Sequence, residues 1–184
     1  VISFEIQEGF IYHWPVQSNF MFSKEKSGGG VLIDTGAHTI DLLLWWLGSW
    51  ERVEYFDDAF GGVEANCLLK IQMGNGSKGT VELSRTRKLK NFAIINFDKI
   101  QIQVHLHSNA MGIKSLQGFK LIENNIDNTI APKQRDIFDI QLDNWVKTIK
   151  SNINHGVSAV EGAESIFLIE ECYNNKKNLE LEWM

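Results

Sequence analysis

Two periods alternate along this chain, one of two residues and one of three to four. From Val1 to Tyr12, Phe4, Ile6, Phe10 and Tyr12 broadly alternate with polar residues, which predicts a first strand. His13 to Lys26 follows neither period and carries Trp14, Phe20 and Phe22. Gly28, Gly29 and Gly30 then lead into Val31-Leu32-Ile33, read as a short apolar strand. From Thr35 to Leu47 the period changes: Ile40, Leu43, Leu44 and Leu47 make a helical stripe, with Asp34 as N-cap and Gly48 as stop. Ala65, Cys67, Leu69, Ile71 and Met73 return to strict alternation, and Gly74-Asn75-Gly76-Ser77 predicts a hairpin turn. On the returning strand Val81, Leu83, Arg85 and Arg87 share a face. Phe92 to Phe97, Ile100 to Leu106 and Gly118 to Glu123 add strands, with Ile100, Ile102, Val104 and Leu106 opposite Gln101, Gln103, His105 and His107. Asp136 to Asn152 reads as a helix that buries Phe138, Leu142, Trp145, Val146 and Ile149. Ser158 and Glu161 form a capping box for a last helix to about Tyr173, before a final strand from Leu179 to Trp183.

This order predicts an α+β fold, a large open, mostly antiparallel sheet with helices packed on one face. The 184 residues fit one domain, spanning 1–184, with 43% hydrophobic and 22% charged residues. The net charge of −5 weighs against a nucleic-acid or anionic-membrane partner, although Arg85 to Lys90 is a local basic run. The longest apolar run, Leu42 to Leu47, is too short to span a bilayer. Cys67 and Cys172 lie in apolar segments and read as buried, reduced thiols, with no metal-ligand spacing. No leader is visible, which suits a cytoplasmic protein, and a chain that opens at Val1 in mid-strand is expected to be a fragment of a longer one.

The candidate chemistry gathers at the start of the first helix. Asp34 and His38 are four residues apart, so they share a face about one turn apart. A carboxylate and an imidazole placed together suit proton transfer. The plain alternative is a helix cap beside a surface histidine, and the spacing alone does not choose. Asp41 lies about 60° round the helix from His38 and can hold it, or be a solvated carboxylate. Gly28 to Gly30 either let the backbone approach a ligand closely or form a bend into the sheet. Arg85 and Arg87 suit an acidic ligand or a solvated strand surface. His105 and His107 have the look of a ligand pair, but a solvent-facing strand explains them. His13 and His155 carry no signal.

The run Gly28-Gly29-Gly30-Val31-Leu32-Ile33-Asp34, followed by Gly36, His38, Ile40-Asp41-Leu42 and Leu47-Gly48, resembles the signature of the glucose–fructose oxidoreductase/inositol dehydrogenase/rhizopine-catabolism (Gfo/Idh/MocA) family. The long meander, the helix from Asp136 and the helix from Val157 to Tyr173 continue the likeness over essentially the whole chain. The resemblance implies the family's C-terminal domain, which binds substrate and assembles subunits through its open sheet. It also implies that His38 and Asp34 are catalytic, His38 handling the hydroxyl proton and Asp34 orienting the hydroxyl or supporting the imidazole. The segment holding Trp14, Gln17 and Asn19 would wall a sugar or polyol pocket, with Asp41 and Arg85 as further substrate contacts.

The chain departs from the family's two-domain pattern in what it lacks. No Gly-x-Gly-x-x-Gly joins a strand to a helix, so there is no Rossmann domain. The family's Glu-Lys-Pro lysine is also missing, and Lys24, Glu25 and Lys26 do not match it. The expectation is half of an NAD- or NADP-dependent oxidoreductase of carbohydrates, inactive alone. The cofactor would sit mainly on an absent N-terminal domain, with Gly29 and Gly30 at most near the nicotinamide, and no metal. A homodimer or larger assembly through the sheet is expected. The alternative is a non-catalytic assembly module with a vestigial Asp–His pair.

Overall fold

A computed structural model describes residues 1–11, 19–107, 110–115, 121–125, 134–151, 153 and 157–180. The first strand, β1 (Ser3–Gly9), is followed by a 3-10 turn (Phe20–Phe22) and a four-residue helix, α1 (Lys24–Ser27). Helix α2 (Thr35–Leu47) leads into β2 (Trp50–Asp57), β3 (Asn66–Met73) and β4 (Lys78–Ser84). Next come β5 (Phe92–Asn96), β6 (Ile100–His105), β7 (Ala110–Ser115) and β8 (Leu121–Asn125). Helices α3 (Gln134–Ser151) and α4 (Ala159–Asn174) precede the short β9 (Lys176–Asn178).

The nine strands among the described residues form one sheet in the order β8-β7-β6-β5-β1-β4-β3-β2-β9. Neighbours are antiparallel except β1 with β4 and β2 with β9, which are parallel. The register puts Ile6 beside Val81 and Ala93, and Leu69 beside Val81 and Tyr55. These residues therefore line one face, and they are buried with Phe4, Ile71, Met73 and Leu83. Against them α2 lays Ile40, Leu43 and Leu47, and α4 lays Leu168, Ile169 and Cys172. Gly36 permits this approach, since a Cβ there would meet Leu83 Cδ1 at 2.6 Å. The opposite face is mixed: Glu5 and Lys70 are exposed, while Gln7, Leu68, Thr80, Glu82 and Ile94 are half-buried. The α+β architecture, an open and mostly antiparallel sheet with α2 and α4 on one face, is the one expected.

Three elements differ from the sequence reading. Val31 to Ile33 is a turn rather than a strand. The Val31 and Leu32 amides donate to the Glu64 carbonyl and carboxylate, both at 3.0 Å, instead of joining the sheet ladder. Helix α3 forms, but its stripe is not buried: Phe138, Leu142, Trp145 and Ile149 are 62–68% exposed. A strand at Lys176–Asn178 comes before the expected one at Leu179–Trp183, of which residues 181–183 lie outside the described residues; the Lys176 ammonium meets the buried Asp57 at 2.8 Å and the Leu179 amide donates to the Asp57 carbonyl. The hairpin at Gly74–Ser77 is present, with Asn75 Oδ1 accepting from the Ser77 amide and hydroxyl at 2.9 and 2.7 Å. The Ser158–Glu161 capping box is present as well.

Candidate active-site rim

The parallel pair β1 and β4 ends at the same rim of the sheet, and the N-terminus of α2 lies over it. Glycines set the approach to this rim. Gly28 closes α1 at φ 81°, a left-handed conformation that favours glycine. A Cβ on Gly29 would meet Tyr173 Cζ at 2.6 Å, and one on Gly30 would meet the Glu64 nitrogen at 2.7 Å. The close approach that these glycines permit is thus to Glu64 and Tyr173 of the chain itself, which accounts for both without a ligand. Glu64 is the hub: it is buried, and its Oε1 accepts from the Leu32 amide at 3.0 Å and the Tyr173 hydroxyl at 2.8 Å. Burial first, then the Glu64 carboxylate, pushes the Tyr173 hydroxyl above its ordinary pKa.

The turn held in this way presents Asp34 at the N-cap of α2. Its side chain makes no capping bond; the carboxylate instead pairs with the Arg85 guanidinium. Arg85 lies just past β4, its amide bonded to the Ala65 carbonyl at 2.9 Å. It is largely buried against the half-exposed Asp34. This corrects the view of Arg85 as a solvated strand residue and makes it the partner of Asp34. Arg87, two residues on, is taken by Glu82 at 2.9 Å and Asn66 at 3.2 Å.

His38 is exposed one turn along α2. No hydrogen bond or ion pair joins it to Asp34 or Asp41 among the described residues. Asp41 is exposed and lines a surface cleft with Trp45, Glu161 and Glu164. Asn19 is exposed at the start of the 3-10 turn, and Trp14 and Gln17 lie outside the described residues.

Sequence reasoning missed a second cluster. Glu8, near the end of β1, is buried. It accepts a hydrogen bond from the Thr39 hydroxyl and pairs with His107 Nε2 at 2.9 Å. His107 is therefore no plain solvent-facing histidine. The signal was available, because Glu8 follows Phe4 and Ile6 on the inward face of β1, where a carboxylate requires partners. No grouping of three or more potential metal ligands occurs among the described residues. None of the described helices is long and apolar enough to cross a membrane.

Residues 3–107 match the family model described as GFO/IDH/MocA C-terminal domain. No curated protein matches the chain in sequence. Solved structures share the fold. An aldose–aldose oxidoreductase from Caulobacter crescentus, complexed with glycerol, superposes with a TM-score of 0.77 at 18% identity over 95% of this chain and 52% of its own. An NAD binding oxidoreductase from Klebsiella pneumoniae gives 0.75 at 14% identity, over 95% and 56%. A levoglucosan dehydrogenase complexed with NADH and levoglucosan gives 0.72 at 16%, over 95% and 57%. The chain thus spans little more than half the length of these proteins.

Proposed function

The chain belongs to the GFO/IDH/MocA C-terminal domain family, and on that premise we propose that it is the substrate-binding half of an NAD(P)-dependent oxidoreductase acting on a sugar, polyol or related carbohydrate. The observation that carries the reading is the rim at the start of α2, where Asp34 is fixed by Arg85 and His38 stands exposed one turn away. Oxidation of a carbinol releases a hydroxyl proton, and His38 is the group that holds it. Asp34 accepts a hydrogen bond from the substrate hydroxyl and orients it. Arg85 is a positioning residue for Asp34 rather than a substrate anchor, because its guanidinium is already paired with that carboxylate.

On this reading the dinucleotide is held mainly outside this chain. The close approach of Gly29 to Tyr173 and of Gly30 to Glu64 supports that reading, since both glycines are already taken up by contacts within the chain. The single domain described here is inactive alone on this reading, and its parent is cytoplasmic. The test is NAD⁺ or NADP⁺ reduction by the full-length parent, read at 340 nm over a panel of aldoses, polyols and sugar acids. His38→Ala is expected to lower kcat by roughly 10²-fold or more; unchanged turnover refutes the role.

The mixed outer face of the sheet favours assembly as well. Leu68 and Ile94 on that face are only half-buried, and Lys70 and Lys177 cross the Phe56 ring at 5.3 Å each. Two copies joined there would form a homodimer. Sedimentation equilibrium tests this, and a strict monomer at high concentration overturns it.

A further inference from the structure

The imidazole–carboxylate pair that proton transfer asks for is realised at this rim, but not between Asp34 and His38. Asp34 is taken by Arg85, whereas Glu8 and His107 meet at 2.9 Å. We propose that Glu8 and His107 form a second acid–base dyad of the rim, in which His107 Nδ1 takes and returns a proton.

The arrangement follows from what each atom can do. A carboxylate only accepts hydrogen bonds. One Glu8 oxygen receives the Thr39 hydroxyl and the other faces His107 Nε2, so Nε2 carries a hydrogen whether the ring is neutral or charged. In the neutral ring Nδ1 then keeps its lone pair. The Glu8 side chain is 9% exposed and that of His107 is 41% exposed, so the anion is buried and the imidazole reaches solvent. Phe10 packs on the His107 ring edge-on, with centroids 4.7 Å apart, and limits its rotation. The neighbouring histidine is used differently: His105 Nδ1 accepts the His107 amide at 3.2 Å.

The dyad is tied to the rest of the rim through one hydroxyl. Thr39 is the next residue after His38, about 3.8 Å away along the backbone. A proton passing from a hydroxyl O–H to Nδ1 makes an imidazolium whose Nε2 faces the Glu8 carboxylate at 2.9 Å. The O–H bond breaks as the N–H bond forms and the oxygen keeps the electron pair as an alkoxide; the carbonyl forms when the carbinol carbon gives up a hydride to the oxidised nicotinamide that the parent protein would supply. Glu8 acts by fixing the ring and facing the charge, so it is a positioning residue, and His107 is the group that carries the proton.

This inference rests on the proposed oxidoreductase reading only for its second test. The first uses this chain alone. Long-range ¹H–¹⁵N spectra of the ¹⁵N-labelled protein should show neutral His107 with hydrogen on Nε2 and a bare Nδ1. Glu8→Leu, which fits the apolar face of β1, should turn that state into a tautomer mixture. Glu8→Gln is the second variant should the leucine protein misfold. Hydrogen on Nδ1 in the unmodified chain, or a pattern indifferent to Glu8, overturns the dyad.

The second test uses the full-length parent with NAD⁺ or NADP⁺ and the same carbohydrate panel. His107→Gln should lower kcat by roughly 10²-fold with KM changed less than about twofold, and Glu8→Gln should follow in the same direction. Unchanged kcat in His107→Gln, beside a loss in His38→Ala, overturns the acid–base role of the dyad. A loss in His107→Gln beside an unaffected His38→Ala supports the dyad and instead refutes the role given to His38.

Discussion

Gly30→Ala should be the most damaging single-methyl substitution in the chain's glycine run. The new Cβ would stand 2.7 Å from the Glu64 nitrogen and 2.8 Å from its carbonyl carbon, and ordinary contact begins at 3.4 Å. The obstacle is backbone and cannot rotate away, and the Glu64 carbonyl oxygen is nearer still, so Glu64 has to retreat by more than about 0.7 Å. That retreat pulls on the two bonds Glu64 makes to the Val31 and Leu32 amides, both 3.0 Å long. Val31 and Leu32 are buried, and each amide left unsatisfied costs about 1–3 kcal/mol. The expected loss is therefore about 2–6 kcal/mol, a large fraction of a typical domain's stability. Gly29→Ala meets a ring tip instead; Tyr173 can swing aside, losing its 2.8 Å bond to Glu64 at about 1.5–3 kcal/mol. Gly28→Ala has open space around it and pays only for its left-handed φ of 81°, about 1–2 kcal/mol. Urea midpoints at constant m-value give the order directly. Equal losses at all three positions, or a neutral Gly30→Ala, would show that contact with Glu64 does not explain the run.

Three further outcomes follow from burial. Lys176→Met should cost about 3–5 kcal/mol by stranding the Asp57 carboxylate, which is 1% exposed, whereas Lys177→Met at an exposed pair should change the urea midpoint little. Leu43→Ala should lose about 2–5 kcal/mol, and Leu142→Ala on the uncovered stripe of α3 less than about 0.5 kcal/mol; a large loss at Leu142 would mean that α3 packs in solution. Burial pushes the Cys172 thiol up to about 12 and also raises Cys67, Tyr55 and Tyr173. The unfolded chain loses these protons first, so their contribution is complete below pH 9.0, the ordinary thiol value, and falls as pH rises toward about 12. A urea midpoint as high at pH 10.5 as at pH 8 would contradict this.

What the sequence made legible depends on how far each deciding contact reaches. The stripe Ile40, Leu43 and Leu47 with Gly48 after it placed α2 correctly, because helix period and stop are local. The Gly74–Ser77 turn and the Ser158–Glu161 box are local in the same sense. Val31 to Ile33 failed as a strand because Glu64, 32 residues away, captures its amides. Asp34 sits at the N-cap as read, yet its carboxylate goes to Arg85, 51 residues on. The period of α3 was read correctly, but a stripe says only which face is apolar and not what covers it. The family signature located the rim, and the partners within it required the fold.

The partners also sort the acids by what they can do. Asp57 is closed between Lys176 and the Ala59 amide, and Glu64 between the Leu32 amide and Tyr173. Both hold backbone in place and leave no free face. Asp34 is braced by Arg85 but remains half-exposed, so it can still accept a bond from a substrate hydroxyl. Glu8 is buried, its carboxylate held between the Thr39 hydroxyl and the half-exposed His107 ring. Of the two histidines, His38 has its position from α2 alone, while His107 has its tautomer set by a carboxylate. A proton released at this rim therefore meets one imidazole placed by a helix and another whose Nε2 is held by a carboxylate at 2.9 Å.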